Sequence, residues 1–275
     1  MENRRTCCLQ FFCLILIGLF ASEIYAFPSI VSDIIYETFD ESVQESWIVS
    51  ITEDYLAKSK DIVEMDSKGI LKKPRFLCLH GHGSNATLLK DHFKNWPDFV
   101  LEKMDFVFIN APFPVDDGLF EWFTSNEDHT NFENFDEGIA YIEDRMVELG
   151  PFDGVLGFSQ GAVVAGALPG MQAHGACLTK VEKIEHVIII SGAKLGGAKF
   201  PLPKLAETAF STPINIPSLH IFGETDIARE DAPELVKAYV DPLVIFHLGG
   251  HEVPKLDEDG LKIMFEFLKK IKAIV

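Results

Sequence analysis

From Arg75 onward, short apolar runs alternate with longer stretches in which apolar residues recur every three or four positions. The runs at residues 75–80, 105–109, 154–158, 186–191, 217–222 and 242–247 have strand length and carry little charge. Such near-continuous runs belong to strands covered on both faces, and their alternation with helices implies a mostly parallel sheet. Residues 135–149 place Ile139, Ile142, Met146 and Leu149 on one stripe, and Gly150-Pro151 stops the helix. A last helix carries Leu261, Met264, Phe265, Leu268 and Ile271. Asp257, Glu258 and Asp259 stand at its start and Lys269, Lys270 and Lys272 at its end, the order that the helix dipole favours. The expected fold class is therefore α/β: about six mostly parallel strands with helices on both faces.

The third run ends in Gly157-Phe158-Ser159-Gln160-Gly161 and leads into the small-residue stretch Ala162–Leu168. A sharp turn from strand to helix lifts a serine hydroxyl out of the backbone. Glycines on either side let the chain approach itself, and the helix N-terminus adds positive partial charge. The competing reading is a glycine-rich turn in an ordinary α/β protein. A nucleophilic serine would need an acid and a histidine downstream, each after a strand. Asp226 follows the run at 217–222, and His251 follows the run at 242–247. Glu224 lies in the same loop as Asp226, but the shorter arm suits a tight arrangement better, so Asp226 is expected to orient His251.

Acyl transfer also needs two N–H donors aimed at the developing oxyanion. The expected pair is the backbone N–H of Gln160, directly after the serine, and that of His82, in the loop after the first strand. His80 and His82 can also be read as metal ligands, but no third ligand stands at suitable spacing. His80 is expected to hydrogen-bond backbone beneath the site. No metal or other cofactor is expected.

Taken together, Leu77-Cys-Leu-His-Gly81, Phe120-Glu-Trp-Phe123, the run Gly150–Ala162, Gly223-Glu-Thr-Asp226 and Gly250-His251 resemble the FSH-type family of serine hydrolases, most closely its plant members. The resemblance covers about residues 74–272. It implies an α/β-hydrolase fold and a cofactor-free hydrolase of carboxylic esters or thioesters. Residue by residue, its nucleophile falls on Ser159, its acid on Asp226 and its base on His251. His82-Gly83-Ser84-Asn85 departs from the usual family loop.

Between Pro112 and Phe135 the chain shows little regular pattern but gathers Phe120, Trp122, Phe123, Phe132 and Phe135. A loop over the sheet edge would make Phe120, Trp122 and Phe123 a wall for an apolar acyl group. The same residues would equally serve as a hydrophobic cluster that pins the loop. The activity expected is cleavage of small-molecule carboxylic esters of apolar acyl groups through an acyl-serine. An acyl thioesterase and a non-catalytic binder on the same fold are the alternatives.

The net charge of −18 argues against a nucleic-acid partner, which would need basic patches. Three of the five cysteines, Cys7, Cys8 and Cys13, sit in an N-terminal apolar segment, so no disulfide framework is implied. That segment follows Arg4-Arg5 and ends near Ile24-Tyr-Ala26, the form of a signal peptide over 1–26 and too short for a stable membrane span. Secretion is the expectation and a cytoplasmic location the alternative. The sequon Asn85-Ala86-Thr87 opposes secretion, because a glycan there would crowd the proposed donor loop. Residues 27–73 form an acidic extension of unassigned role, and 74–275 the hydrolase domain. Oligomeric state is not legible.

Overall fold

The computed structural model describes residues 73–126, 132–197 and 200–273. The expected signal peptide and nearly all of the acidic extension lie outside them.

Six parallel strands form the central sheet. They are β1 (Arg75–Leu79), β2 (Asp105–Ile109), β7 (Gly154–Phe158), β8 (His186–Ile190), β9 (Ser218–Gly223) and β10 (Leu243–His247), arranged in the order β10-β9-β8-β7-β1-β2. Each observed strand lies within one or two residues of the range its apolar run predicted. The chain leaves β1 for the edge strand β2, then returns to pair β7 with the other side of β1. Connections therefore diverge at the carboxyl ends of β1 and β7, where an open α/β sheet leaves a crevice for ligands.

Alternation along the strands divides the core in two. Leu77, Leu79, Val155, Val187 and Ile189 face one layer, formed by α3 (Phe135–Leu149), α4 (Gln160–Ala173) and α5 (Ala232–Val236). Phe76, Cys78, Leu156, Ile188, Leu219 and Ile245 face the other, formed by α1 (Ala86–His92), α2 (Asp98–Leu101) and α6 (Glu258–Lys270). Side chains on a strand point to opposite faces in turn, so one apolar run feeds both cores. Asp257 caps α6 by accepting from the Gly260 N–H. Asn85 caps α1 through the Leu88 N–H, and its amide nitrogen donates to the Gly118 carbonyl at 3.0 Å. Cys78 and Cys177 are both buried and free.

The expectation of an irregular loop between Pro112 and Phe135 needs correction. Two antiparallel ribbons occupy its described part: β3 (Phe113–Asp116) with β4 (Leu119–Glu121), and β5 (Thr124–Ser125) with β6 (Phe132–Glu133). The isolated pairing of Ser84 with Phe120 joins the first ribbon to the loop after β1.

Four buried or partly buried histidines give the fold a dependence on acid. Burial holds the imidazoles of His80, His186 and His247 below their ordinary value and drives that of His220 down to about 3. The His220 ring stays neutral in the folded chain well below the pH of about 6.5 at which unfolded histidine takes up a proton, and the other three take theirs up at lower pH folded than unfolded. The unfolded state therefore binds more protons, and stability falls as pH drops from about 6.5. His220 alone contributes about 1.4 kcal/mol per pH unit until its folded value is reached. Denaturant titrations between pH 7.5 and 4.5 should show this decline, and His220→Phe should flatten it. Equal stability across that range would contradict the account.

Candidate active site

Strand β7 enters a turn so tight that neither flanking glycine has room for a side chain. A Cβ on Gly157 would lie 2.2 Å from the Gly161 carbonyl oxygen, and one on Gly161 would lie 2.2 Å from that of Leu79. Between them Ser159 takes φ 54° and ψ −117°, a strained conformation for a residue with a side chain. The Ser159 N–H donates to the Ile190 carbonyl at 3.0 Å, and the Gly161 N–H donates to that of His80 at 3.1 Å. The turn is thus fastened to strands on both sides. Helix α4 starts immediately afterwards, so the Gln160 N–H heads it without an intrahelical acceptor.

His251 completes a hydrogen-bonded line. Its Nε2 lies 2.8 Å from Ser159 Oγ and its Nδ1 lies 2.7 Å from Asp226 Oδ1. The carboxylate can only accept from Nδ1–H, which leaves Nε2 to accept from the serine hydroxyl. The Asp226 side chain is fully buried, while that of His251 is about a quarter exposed. Asp226 Oδ2 also accepts from the Ser191 hydroxyl at 2.5 Å, and Oδ1 from the Ala228 N–H at 2.9 Å. Burial works to raise the Asp226 carboxyl, but the hydrogen bonds from His251, Ala228 and Ser191, with the nearby imidazole charge, hold it below its ordinary value. Glu224, the rival acid, is exposed and enters this network only through backbone: its N–H donates to the His247 carbonyl. Ser191 had no place in the sequence reading, because it ends an apolar strand run and reaches Asp226 from 35 residues away.

The loop after β1 lies against the turn. A Cβ on Gly81 would stand 3.1 Å from that of Ser159. His80 is buried, and both its nitrogens are engaged: Nε2 accepts from the Ala111 N–H at 3.0 Å and Nδ1 donates to the Gly81 carbonyl at 2.7 Å. This is the backbone role expected of it. The His82 side chain is exposed and meets Glu121.

Of the three aromatic residues expected to face substrate, two do not. Trp122 and Phe123 are each 1% exposed, inside the core layer with Leu79 and Ala162. The Trp122 indole N–H donates to the His80 carbonyl at 2.7 Å. Phe120 alone is partly exposed. The Gln160 side chain explains the inward placement. Its Oε1 accepts from the Trp122 N–H and its Nε2 donates to the Phe123 carbonyl, each at 2.8 Å. Trp122→Ala should accordingly cost roughly 3–5 kcal/mol of stability and leave the acyl-length preference of the surviving folded enzyme unchanged. A shifted preference at unaltered melting temperature would return Trp122 to the pocket.

A parallel sheet with this strand order, and a serine on a strained strand-to-helix turn bonded to a histidine and a buried aspartate, define a serine hydrolase of the α/β-hydrolase fold. Residues 67–263 match the family model described as Serine hydrolase (FSH1), and the chain belongs to that family. Among its relatives, Esterase CG5412 of Drosophila melanogaster is 31% identical over 206 residues, 67% of this chain and 70% of that one. Esterase OVCA2 of Xenopus tropicalis is 28% identical over 222 residues, 71% of this chain and 92% of that one. Among solved structures, esterase PE8 shares 24% identity at a TM-score of 0.47, over 75% of this chain and 96% of that one. SOBER1 of Arabidopsis thaliana shares 17% at 0.46, over 73% of this chain and all of that one.

Proposed function

We propose that this hydrolase cleaves small-molecule carboxylic esters of apolar acyl groups through an acyl-Ser159 intermediate, with His251 as general base and Asp226 as its orienting acid. The unbroken line from Ser159 Oγ through His251 to Asp226, at 2.8 and 2.7 Å, carries the reading. His251 Nε2 takes the hydroxyl proton as Oγ attacks the ester carbon, then returns it to the departing alcohol. Water repeats the sequence to release the acid. The backbone N–H groups of Gln160 and His82 receive the oxyanion. The helix start at Gln160 and the contact of Gly81 with Ser159 support that assignment. Phe120 remains the apolar contact for the acyl group, supported by its partial exposure beside the loop that holds His82. The names of the esterase relatives support an oxygen ester over a thioester.

The deciding experiment compares p-nitrophenyl esters with acyl thioesters over a series of chain lengths. Ester turnover with a preference for apolar chains is expected. Faster thioester turnover would make the enzyme a thioesterase, and an inert Ser159 toward a fluorophosphonate probe would leave a binding protein. The basic and apolar start of the chain further supports entry into the secretory pathway, which N-terminal sequencing of secreted protein beginning at Phe27 would establish.

A further inference from the structure

The most unusual group near the site is a carboxylate that the proposed chemistry leaves unused. Glu121, at the end of β4, is only 7% exposed. Its Oε1 accepts from the Thr124 hydroxyl at 2.6 Å, and its Oε2 lies 2.9 Å from Nδ1 of His82. A buried carboxylate is tolerated only where hydrogen bonds or opposite charge replace the water it has lost. Here the replacement comes from a side chain that is itself 59% exposed and belongs to the residue proposed to offer an oxyanion N–H.

Three more contacts tie the same stretch of chain to the site. Ser84 and Phe120 exchange backbone hydrogen bonds, at 2.8 and 3.4 Å. Asn85 reaches the Gly118 carbonyl, and the Gln160 side chain clamps the backbone of Trp122 and Phe123. Residues 118–123 therefore touch both the loop that carries His82 and the helix start that carries Gln160. Between His82 and Ser84 stands Gly83, at φ +60° with open space around it, a point about which the loop can turn. The Ser84 pairing fixes the chain on one side of that point. On the other, the His82 side chain is held by Glu121.

We propose that Glu121 is a positioning residue for ester hydrolysis: by holding the His82 side chain, it fixes the His82 backbone N–H in the orientation that receives the oxyanion. The inference rests on the oxyanion assignment made above. Glu121 touches no reacting atom and acts through His82. A preorganised donor serves only where charge develops, so loosening it should slow the chemical step and leave substrate binding alone.

The test measures kcat and KM on a p-nitrophenyl ester, per active site titrated, for four variants of the full chain. His82→Ala takes a partner from Glu121 and should lower the melting temperature, but it removes an exposed side chain and leaves Thr124 bonded to Glu121, so the chain should still fold while kcat falls about tenfold at unchanged KM, a partial version of losing one donor. Glu121→Ala should show the same fall, and the double variant should fall no further than either single. Glu121→Gln keeps an acceptor for His82 Nδ1–H and a group that Thr124 can meet, and should restore most of kcat. Should Glu121→Ala not fold, His82→Ala and Glu121→Gln decide alone. Wild-type kcat in His82→Ala would overturn the inference, as would losses that multiply in the double variant. A lowered melting temperature with unaltered kcat per site would leave Glu121 a purely structural residue and equally overturn it. If the wild-type chain hydrolyses no ester, the proposed function fails instead, so the two failures are separable.

Discussion

Ser159→Ala is expected to lower kcat by a factor on the order of 10⁶, with the fold retained. The size follows from the site acting as a unit. Without Oγ there is no acyl-enzyme, and His251, 2.8 Å from the missing oxygen, has no hydroxyl proton to take. What remains is the help that binding and the oxyanion donors give to attack by water, roughly 10³–10⁴ over the uncatalysed rate. Stability should change little, because the turn rests on backbone. The Ser159 N–H to Ile190 and the Gly161 N–H to His80 persist, and alanine meets the same restriction as serine at φ 54°. Steady-state kinetics and a melting curve on one preparation check both halves. A variant that kept most of its activity would remove Ser159 from the mechanism and the mechanism with it.

What was legible beforehand divides along physical lines. The strands at 154–158 and 186–191 announced themselves because both faces are covered, so nearly every position is apolar or glycine, and the observed β7 and β8 follow those runs closely. Ser159, Asp226 and His251 were legible for a related reason: each follows such a strand, and strand ends in a parallel sheet converge on one edge. The ribbons between Pro112 and Phe135 gave no comparable signal. Their strands are two to four residues long, β3 is mostly exposed, and pairing with Ser84 and clamping by Gln160 come from distant parts of the chain. An aromatic run such as Phe120-Glu-Trp-Phe123 suits a pocket wall or a core equally well. Only the packing sends Trp122 and Phe123 inward and leaves Phe120 beside the donor loop. Glu121 was hidden in the same run, because local pattern cannot show a carboxylate whose partner is on another loop. Ser191 was hidden by standing directly after a strand that reads as core, with its partner 35 residues away.

Asp226→Asn should lower kcat by about 10⁴, less than the loss of the serine and far more than any change at Glu224. The carboxylate does two things that an amide cannot do together. It accepts from His251 Nδ1–H, which leaves Nε2 free to take the proton of Ser159, and its charge stabilises the imidazolium that results. Asparagine offers one oxygen and one NH₂ group where the carboxylate accepts from three donors, His251, the Ala228 N–H and the Ser191 hydroxyl, of which only the hydroxyl can turn to accept. Turning the NH₂ toward His251 forces the proton onto Nε2, where the ring can no longer act as base. Turning it toward Ser191 keeps the tautomer but still removes the charge. The linkage sign is set by the same contacts. Because the carboxyl is held below its ordinary value, its contribution to stability is complete above the unfolded value of about 3.9 and is lost as pH falls through the folded one. At neutral pH the charge is therefore in place. Glu224→Gln alters an exposed side chain whose residue is held by backbone, and both activity and stability should stay near wild type, the latter within about 0.5 kcal/mol. Kinetics on the two variants across pH settle the assignment: if Glu224→Gln proved the more damaging, Glu224 and not Asp226 would be the acid that orients His251.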